Sequence, residues 1–307
     1  MRVSFFLAVF ALSFVAEAAK VTLVLNWKPE AEFGGFYAAE LSKAFAKEGL
    51  EVTIQPGGVG TPAVQMVTAG QAEFGISSAD EVILSQDRGS DAVGLFAVYQ
   101  TNPQGMMVRS DRRLVSFSDI FGSGILAVQK GLPYFLYLEK KWGKPKAKVV
   151  PFLGGITQLS ENPLVTQQCF VTSEPILAEQ KGIEVKTFFI ADAGFNPYTA
   201  LVVVKRSFAQ KNPALVASFK KAVVAGWQAY LADPEPANEA MHALNPSMSR
   251  EVLTRSARIQ APLIQTAETK TSGLGSMTEQ RWNELAQQLL DIQLIKKAQP
   301  AANYVWK

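Results

Sequence analysis

The sequence predicts an α/β protein built as two lobes, and three observations carry that prediction. Short apolar runs rich in β-branched residues alternate with helical stretches at close spacing, the pattern of a parallel α/β sheet. The alternation pauses at the polar stretch Ser110-Asp111-Arg112-Arg113 and then restarts. A mostly helical tail follows the second round and is expected to pack back on the first. The chain would then cross between lobes twice, near 106–112 and near 193–200. The length of 307 residues fits about two domains.

The first round is read as follows. Val21 to Leu25 is a strand ended by Asn26 and Trp27. Gly35 to Glu48 spaces Phe36, Ala39, Phe45 and Ala46 as a helix and stops at Gly49. Glu51 to Gln55 alternates as a strand and breaks at Pro56-Gly57-Gly58. A helix runs from Thr61-Pro62 to Ala69. Phe74 to Ile76 is a strand, Ala79 to Gln86 a helix and Val93 to Val98 a strand, with Met106 to Arg109 one strand more. The second round has strands at Ile125–Gln129, Lys148–Phe152, Cys169–Val171 and Val185–Ile190. Helices at Pro133–Trp142, Gly155–Glu161 and Glu174–Gln180 separate them. Thr199 to Val204 is a last strand. Helices then follow at Pro213–Leu231, Pro236–Ala243, Arg250–Ile259 and Thr278–Leu290. Residues 19–108 and 200–307 are thus expected to form lobe 1, and 109–199 lobe 2.

Residues 1–18 are expected to be a signal peptide. Arg2 precedes an apolar run from Val3 to Val15, and Ala16-Glu17-Ala18 is a small-x-small cleavage site. The run is short for a spanning helix, which needs about 20 apolar residues. The mature chain is therefore expected to be soluble and periplasmic.

Composition excludes several classes. Hydrophobic residues make up 48% and charged residues 19%, which rules out disorder. A net charge of +3 without a basic run argues against nucleic acid. The single Cys169 allows no disulfide within the chain and is read as a buried structural thiol. The single His242 removes most metal sites and most histidine-based catalysis, and is read as a surface residue. No metal and no cofactor is expected, and the composition leans away from an enzyme.

Ligands of open α/β sheets bind outside the carboxyl ends of the strands, and sites favour interfaces between lobes. The candidates are therefore the residues that follow each strand. Trp27, directly after the first strand, offers a large face to a flat ligand. Asn26, Glu32, Phe33 and Tyr37 accompany it. Ser78 and Asp80 follow the third strand, Tyr99 the fourth, and Glu174 a strand of the second lobe. Asp80 and Glu174 are candidate polar anchors or simple helix N-terminal carboxylates. Gly57-Gly58-Val59-Gly60-Thr61 could turn backbone N–H groups toward an anion, but it lacks the lysine of a phosphate loop.

Three segments carry a family resemblance. They are Val24-Leu25-Asn26-Trp27, Glu32-Phe33-Gly34-Gly35-Phe36-Tyr37-Ala38-Ala39, and Phe45-Ala46-Lys47-Glu48-Gly49-Leu50-Glu51-Val52. Together they resemble the opening of an exported solute-binding protein of an ABC importer. The subgroup is the one related to the fungal thiamine-pyrimidine synthase, with riboflavin-, sulfonate- and nitrate-type binders among its members. Ala69-Gly70-Gln71-Ala72-Glu73-Phe74-Gly75-Ile76 and Phe170-Val171-Thr172-Ser173-Glu174-Pro175 are similar to later segments of that group. The resemblance implies a type II periplasmic-binding fold with ligand in the cleft, no catalysis, and delivery to a membrane permease and its ATPase. Two departures stand out. Phe33 occupies a place where thiamine-pyrimidine binders often carry a His, and one Cys stands against the Cys-rich segment of the fungal synthase. The expected ligand is a small flat heterocycle, a thiamine-precursor pyrimidine or a flavin. A sulfonate or nitrate is the alternative, with Lys28 the one cation at a strand end, and a pyrimidine-making enzyme is the more distant one.

Overall fold

The computed structural model describes residues 17–307. Most of the expected signal segment, residues 1–16, lies outside them; Glu17 and Ala18 are exposed, and the first strand begins at the next residue. In chain order the first lobe contains β1 (Ala19–Val24), a 3-10 turn (Ala31–Phe33), α1 (Gly34–Leu41), α2 (Ala44–Lys47), β2 (Leu50–Gln55), α3 (Ala63–Thr68), β3 (Phe74–Ser78), α4 (Ala79–Asp87) and β4 (Ala92–Tyr99). The second lobe contains β5 (Gln104–Arg109), α5 (Phe117–Gly122), β6 (Ile125–Val128), α6 (Pro133–Trp142), β7 (Lys148–Pro151), α7 (Thr157–Glu161), β8 (Val165–Phe170), α8 (Glu174–Gln180) and β9 (Val185–Phe189). The chain then returns through β10 (Thr199–Lys205). It ends in α9 (Arg206–Lys211), α10 (Pro213–Ala232), α11 (Glu235–Leu244), α12 (Arg250–Ile264), α13 (Ala267–Ser272) and α14 (Glu279–Asp291).

Two five-stranded sheets result, with orders β2-β1-β3-β10-β4 and β7-β6-β8-β5-β9. Each is parallel except for one strand: β10 runs antiparallel to β3 and β4, and β5 antiparallel to β8 and β9. In both sheets the strand order reverses between the same two positions, β1/β3 in one and β6/β8 in the other. Side chains leaving the carboxyl ends of those strands define the place for a ligand. β4, β5, β9 and β10 adjoin the crossovers, so β2 and β7 lie farthest from them.

The crossovers differ from expectation. Residues 104–108, assigned to lobe 1 from sequence, pair with β8 and β9 and belong to the second sheet. The first crossing is therefore the short segment 100–103, and the second is 190–198. Ser110-Asp111-Arg112 reads as a boundary only because it is polar; it is an exposed 3-10 turn after β5. The helix expected from Gly35 to Glu48 is two helices, split where Lys43 takes a left-handed φ of 60°. β8 is longer than expected because Thr166, Gln167 and Gln168 are polar yet buried. The Gln168 carbonyl oxygen accepts from Gln129 N at 2.6 Å and from the Tyr134 hydroxyl at 2.7 Å, which satisfies a polar group in a central strand. α5, α9 and α13 were not expected; Ser116 and Asp119 start α5 with a reciprocal capping box.

The helical tail packs on the first lobe, as expected. α10 lies against α1 at a contact that three glycines make possible. A side chain at Gly34 would stand 2.2 Å from the Tyr230 ring, one at Gly35 2.2 Å from the Trp227 ring, and one at Gly226 2.2 Å from Gly35 O. This packing fixes the start of α1, and with it the loop that leaves β1. Gly35→Ala should lower stability by about 1–3 kcal/mol through overpacking against Trp227. Urea unfolding measures this, and an unchanged midpoint would contradict the close approach.

Candidate functional site

The loop from Asn26 to Glu30 leaves the carboxyl end of β1 and is held from several sides. Gly57 N donates to Trp27 O at 3.0 Å, and no side chain fits at Gly57 because its Cβ would meet Leu25 O at 2.2 Å. The Asn245 amide donates to Pro29 O at 3.0 Å, and the Gln260 amide of α12 donates to Ala31 O at 2.8 Å. The other end of Gln260 accepts from the Tyr99 hydroxyl at 2.6 Å. β4, α12 and the 3-10 turn are thereby locked together with all three polar groups buried.

This frame presents two carboxylates. Glu30 accepts from the Trp27 indole N–H at 3.0 Å, and the Ser173 hydroxyl of the second lobe lies near enough to lower its pKa. Burial raises its pKa all the same. Glu32 follows in the 3-10 turn; burial raises its carboxyl well above the usual range, and Glu30 and Glu174 raise it further. The second lobe supplies Glu174, at the first turn of α8 after β8. Its carboxylate accepts from Phe170 N at 2.8 Å, yet burial, with some help from Glu30, holds its pKa at about 7. Three half-buried carboxylates from two lobes thus sit within electrostatic reach, Glu30 opposing the ionisation of Glu32 and Glu174. Among the described residues, the cation that acts on this group is the exposed Lys28, which lowers Glu30. Tyr99 lies beneath; burial first, then Glu32, raise its hydroxyl well above its usual value.

A second pair of acceptors lies at the same end of the first sheet. The Asn26 side-chain oxygen and Asp80 Oδ1 are buried without a hydrogen-bond partner. Asp80 stands in the first turn of α4, beside the half-buried Ser78, and burial raises it to about 6. β1 and β3 are neighbours in the sheet, so these acceptors follow adjacent strands.

Of the expected site residues, Glu32 and Glu174 lie within electrostatic reach of Glu30, to which Trp27 donates, and Asn26, Ser78 and Asp80 stand at the neighbouring strand ends. Phe33 and Tyr37 are not on this wall. Both are buried in the first-lobe core, because α1 turns its aromatic face onto α10, and the neighbour that perturbs Tyr37 is Glu40. Tyr99 is fully buried and its hydroxyl is spent on Gln260, so it supports the loop from below. Glu30 and Ser173 also follow strands, but the expected site did not include them. The signal available for Glu30 was its spacing, three residues after Trp27 in a turn. His242 bonds Met248 O through Nδ1 at 2.8 Å, and Cys169 is buried with its thiol pushed up by burial. Glu174 lies near enough to Cys169 to raise its thiol further.

The profile of the NMT1/THI5-like family matches residues 30–237, and the chain belongs to that family. A riboflavin-binding protein, RibY, of Chloroflexus aurantiacus is 27% identical over 279 residues, covering 86% of this chain and 78% of that protein. A formylaminopyrimidine-binding protein of Halalkalibacterium halodurans is 22% identical, covering 82% of this chain and 75% of its own. Among solved structures, the periplasmic aliphatic sulphonate-binding protein SsuA of Escherichia coli superimposes with a TM-score of 0.70 at 13% identity, covering 94% of this chain and 97% of that one. The alkanesulfonate-binding protein SsuA of Xanthomonas axonopodis pv. citri gives 0.67 at 13% identity, covering 95% and 99%. The fold is accordingly the two-lobed fold of periplasmic binding proteins.

A carboxylate whose pKa is raised on folding binds its proton more tightly in the folded than in the unfolded chain. Stability is then highest below the unfolded value and falls as pH rises toward the folded one. For Glu174 that window runs from its ordinary 4.5 to about 7. The ligand-free protein should therefore lose about 1–2 kcal/mol between pH 5 and pH 7.5, and Glu174→Gln should remove much of that loss. Chemical denaturation at the two pH values checks it; equal slopes in both proteins would contradict the raised pKa.

Proposed function

We propose that this member of the NMT1/THI5-like family is the exported solute-binding component of an ABC importer, and that it captures a small flat nitrogen heterocycle with N–H groups on its edge. A thiamine-precursor pyrimidine or a flavin has that chemistry. The ligand is delivered to a membrane permease, and no chemical step is part of the proposal. One observation supports the reading: Glu30, which accepts from the Trp27 indole, lies within electrostatic reach of Glu32 and Glu174, and among the described residues the cation that acts on the three is the exposed Lys28.

The chemistry selects among ligand classes. Carboxylates accept hydrogen bonds from ring or exocyclic N–H groups, at about 1.5–3 kcal/mol for each bond to a charged group. An aromatic face adds roughly 1 kcal/mol by stacking on a planar ring. A sulfonate or nitrate brought to the same place would oppose ionisation of these carboxyls, and among the described residues no guanidinium acts on them. The sulfonate-binding neighbours therefore support the fold, whereas the named relatives, a riboflavin binder and a formylaminopyrimidine binder, support the ligand class. Export rests on the apolar run and on Ala16-Glu17-Ala18.

The test is calorimetry on protein purified from the exported fraction, whose mass should begin at Ala19. Titrants are riboflavin, formylaminopyrimidine, an alkanesulfonate and nitrate. One of the first two should bind, and Trp27→Ala or Glu174→Gln should weaken it at least about tenfold, equivalent to ~1.4 kcal/mol. Tight binding of the sulfonate with indifference to Trp27→Ala would replace this reading with an anion-binding one.

A further inference from the structure

The two crossovers are tied together by one side chain that lies outside the residues matched by the family profile. Arg281, in the first turn of α14, donates from Nε to Asn196 O at 2.8 Å and from Nη1 to Gln100 O at 2.5 Å. Gln100 belongs to the first crossover and Asn196 to the second. The guanidinium also stacks on the Tyr198 ring, 3.9 Å from its centroid. Around it the crossovers bond each other, with Asn102 N donating to Asn196 Oδ1 at 2.8 Å. Tyr198, in turn, accepts from Thr278 N at 2.9 Å, immediately before α14.

This clasp is incompletely satisfied. Arg281 Nη2 is buried without a partner, and so are Glu268 Oε1, Gln100 Oε1 and Ser276 Oγ. Glu268 and Glu284 act on Arg281 from beyond contact, and burial draws the guanidinium below its usual value. A buried donor and buried acceptors left open in one small region indicate an arrangement with room to re-pair when the segments around it turn. Hinge segments are the places where a two-lobed binding protein absorbs its closing motion.

We propose that Arg281 is the clasp of the hinge. By holding a carbonyl of each crossover at once, it sets the relative populations of open and closed lobes, and through them the affinity for ligand, without touching the ligand. Apparent affinity scales with the fraction of protein in the competent arrangement, so a residue remote from the cleft controls binding through that fraction. Lysine does not substitute: a single ammonium lacks the planar fork that reaches two carbonyls and stacks on a ring.

The test needs no ligand, so it stands whether or not the proposed ligand class is right. Val59 and Leu153 are exposed tips of glycine-containing loops that follow β2 and β7, the strands farthest from the crossovers. Spin labels on the full-length mature protein carrying Val59→Cys and Leu153→Cys report the width of the cleft mouth, and the buried Cys169 escapes labelling. Arg281→Met should change the ratio of long to short distances at least about fivefold, with unchanged circular dichroism. Arg281→Lys should change it in the same direction by less, and it decides the matter if Arg281→Met fails to fold. A residue that only stabilised the fold would lower the melting temperature and leave the distance distribution as it was. That result in the folded variant would overturn the proposal.

Discussion

Three carboxylates are gathered where water is scarce, and two of them come from one lobe while the third comes from the other. Each is harder to ionise because of burial, and Glu32 and Glu174 are harder still because of their neighbours. In the absence of a ligand this arrangement opposes stability at neutral pH, so some other part of the structure must hold it. The holding is done by neutral groups. Gln260 spans Tyr99 and Ala31, Asn245 takes Pro29, and the Trp27 indole donates to Glu30. None of these partners carries a positive charge. The carboxylates therefore keep their demand for donors, which is the basis for proposing a ligand with N–H groups.

α12 joins this local arrangement to the movement of the lobes. It buttresses the β1 loop through Gln260, and it also reaches the second lobe. The Ser256 hydroxyl donates to Thr172 O, and Arg255 pairs with Glu179 on α8. At its far end, Leu263 O accepts from Gln100 N and Thr101 N of the first crossover. Pro262 lies in the last turn of the same helix, where its missing N–H leaves a carbonyl open. One helix thus touches the cleft loop, the second lobe and the hinge. A change in the spacing of the lobes would therefore reach the carboxylate loop through α12, and Arg281 bonds the same crossover from α14.

Much of the fold was legible in the sequence, because strand and helix alternate with clear punctuation. Gly49, Pro56-Gly57-Gly58 and Gly70 mark the turns of the first lobe. What failed to read has physical reasons. Gln167 and Gln168 disguise β8, since a strand satisfied by side-chain hydrogen bonds has no apolar pattern there. The first crossover was misplaced because the polar turn at Ser110 resembles a linker, whereas the true crossing is four residues spent on hydrogen bonds to Arg281, Asn196 and α12. In the candidate site, Trp27 and Glu174 were chosen from their positions after strands. Phe33 and Tyr37 were assigned to the cleft because they follow Trp27 in sequence, but Gly34 and Gly35 draw α1 onto α10 and bury that aromatic face. Glu30 was left out of the expected site because its neighbours Ser173 and Glu174 approach it only in three dimensions.

The central claim is that the cleft receives hydrogen-bond donors at carboxylates with raised pKa values, and the direction of proton exchange on binding tests it most directly. N–H donors favour the ionised carboxylates and lower their pKa, so binding releases protons in the range between the ordinary carboxylate value and about 7, the value held by Glu174. An anionic ligand would favour the protonated carboxyls and draw protons in. Titration calorimetry at pH 6.5 in buffers of different ionisation enthalpy counts those protons. The account predicts net release, diminished in Glu174→Gln; net uptake on binding would contradict it.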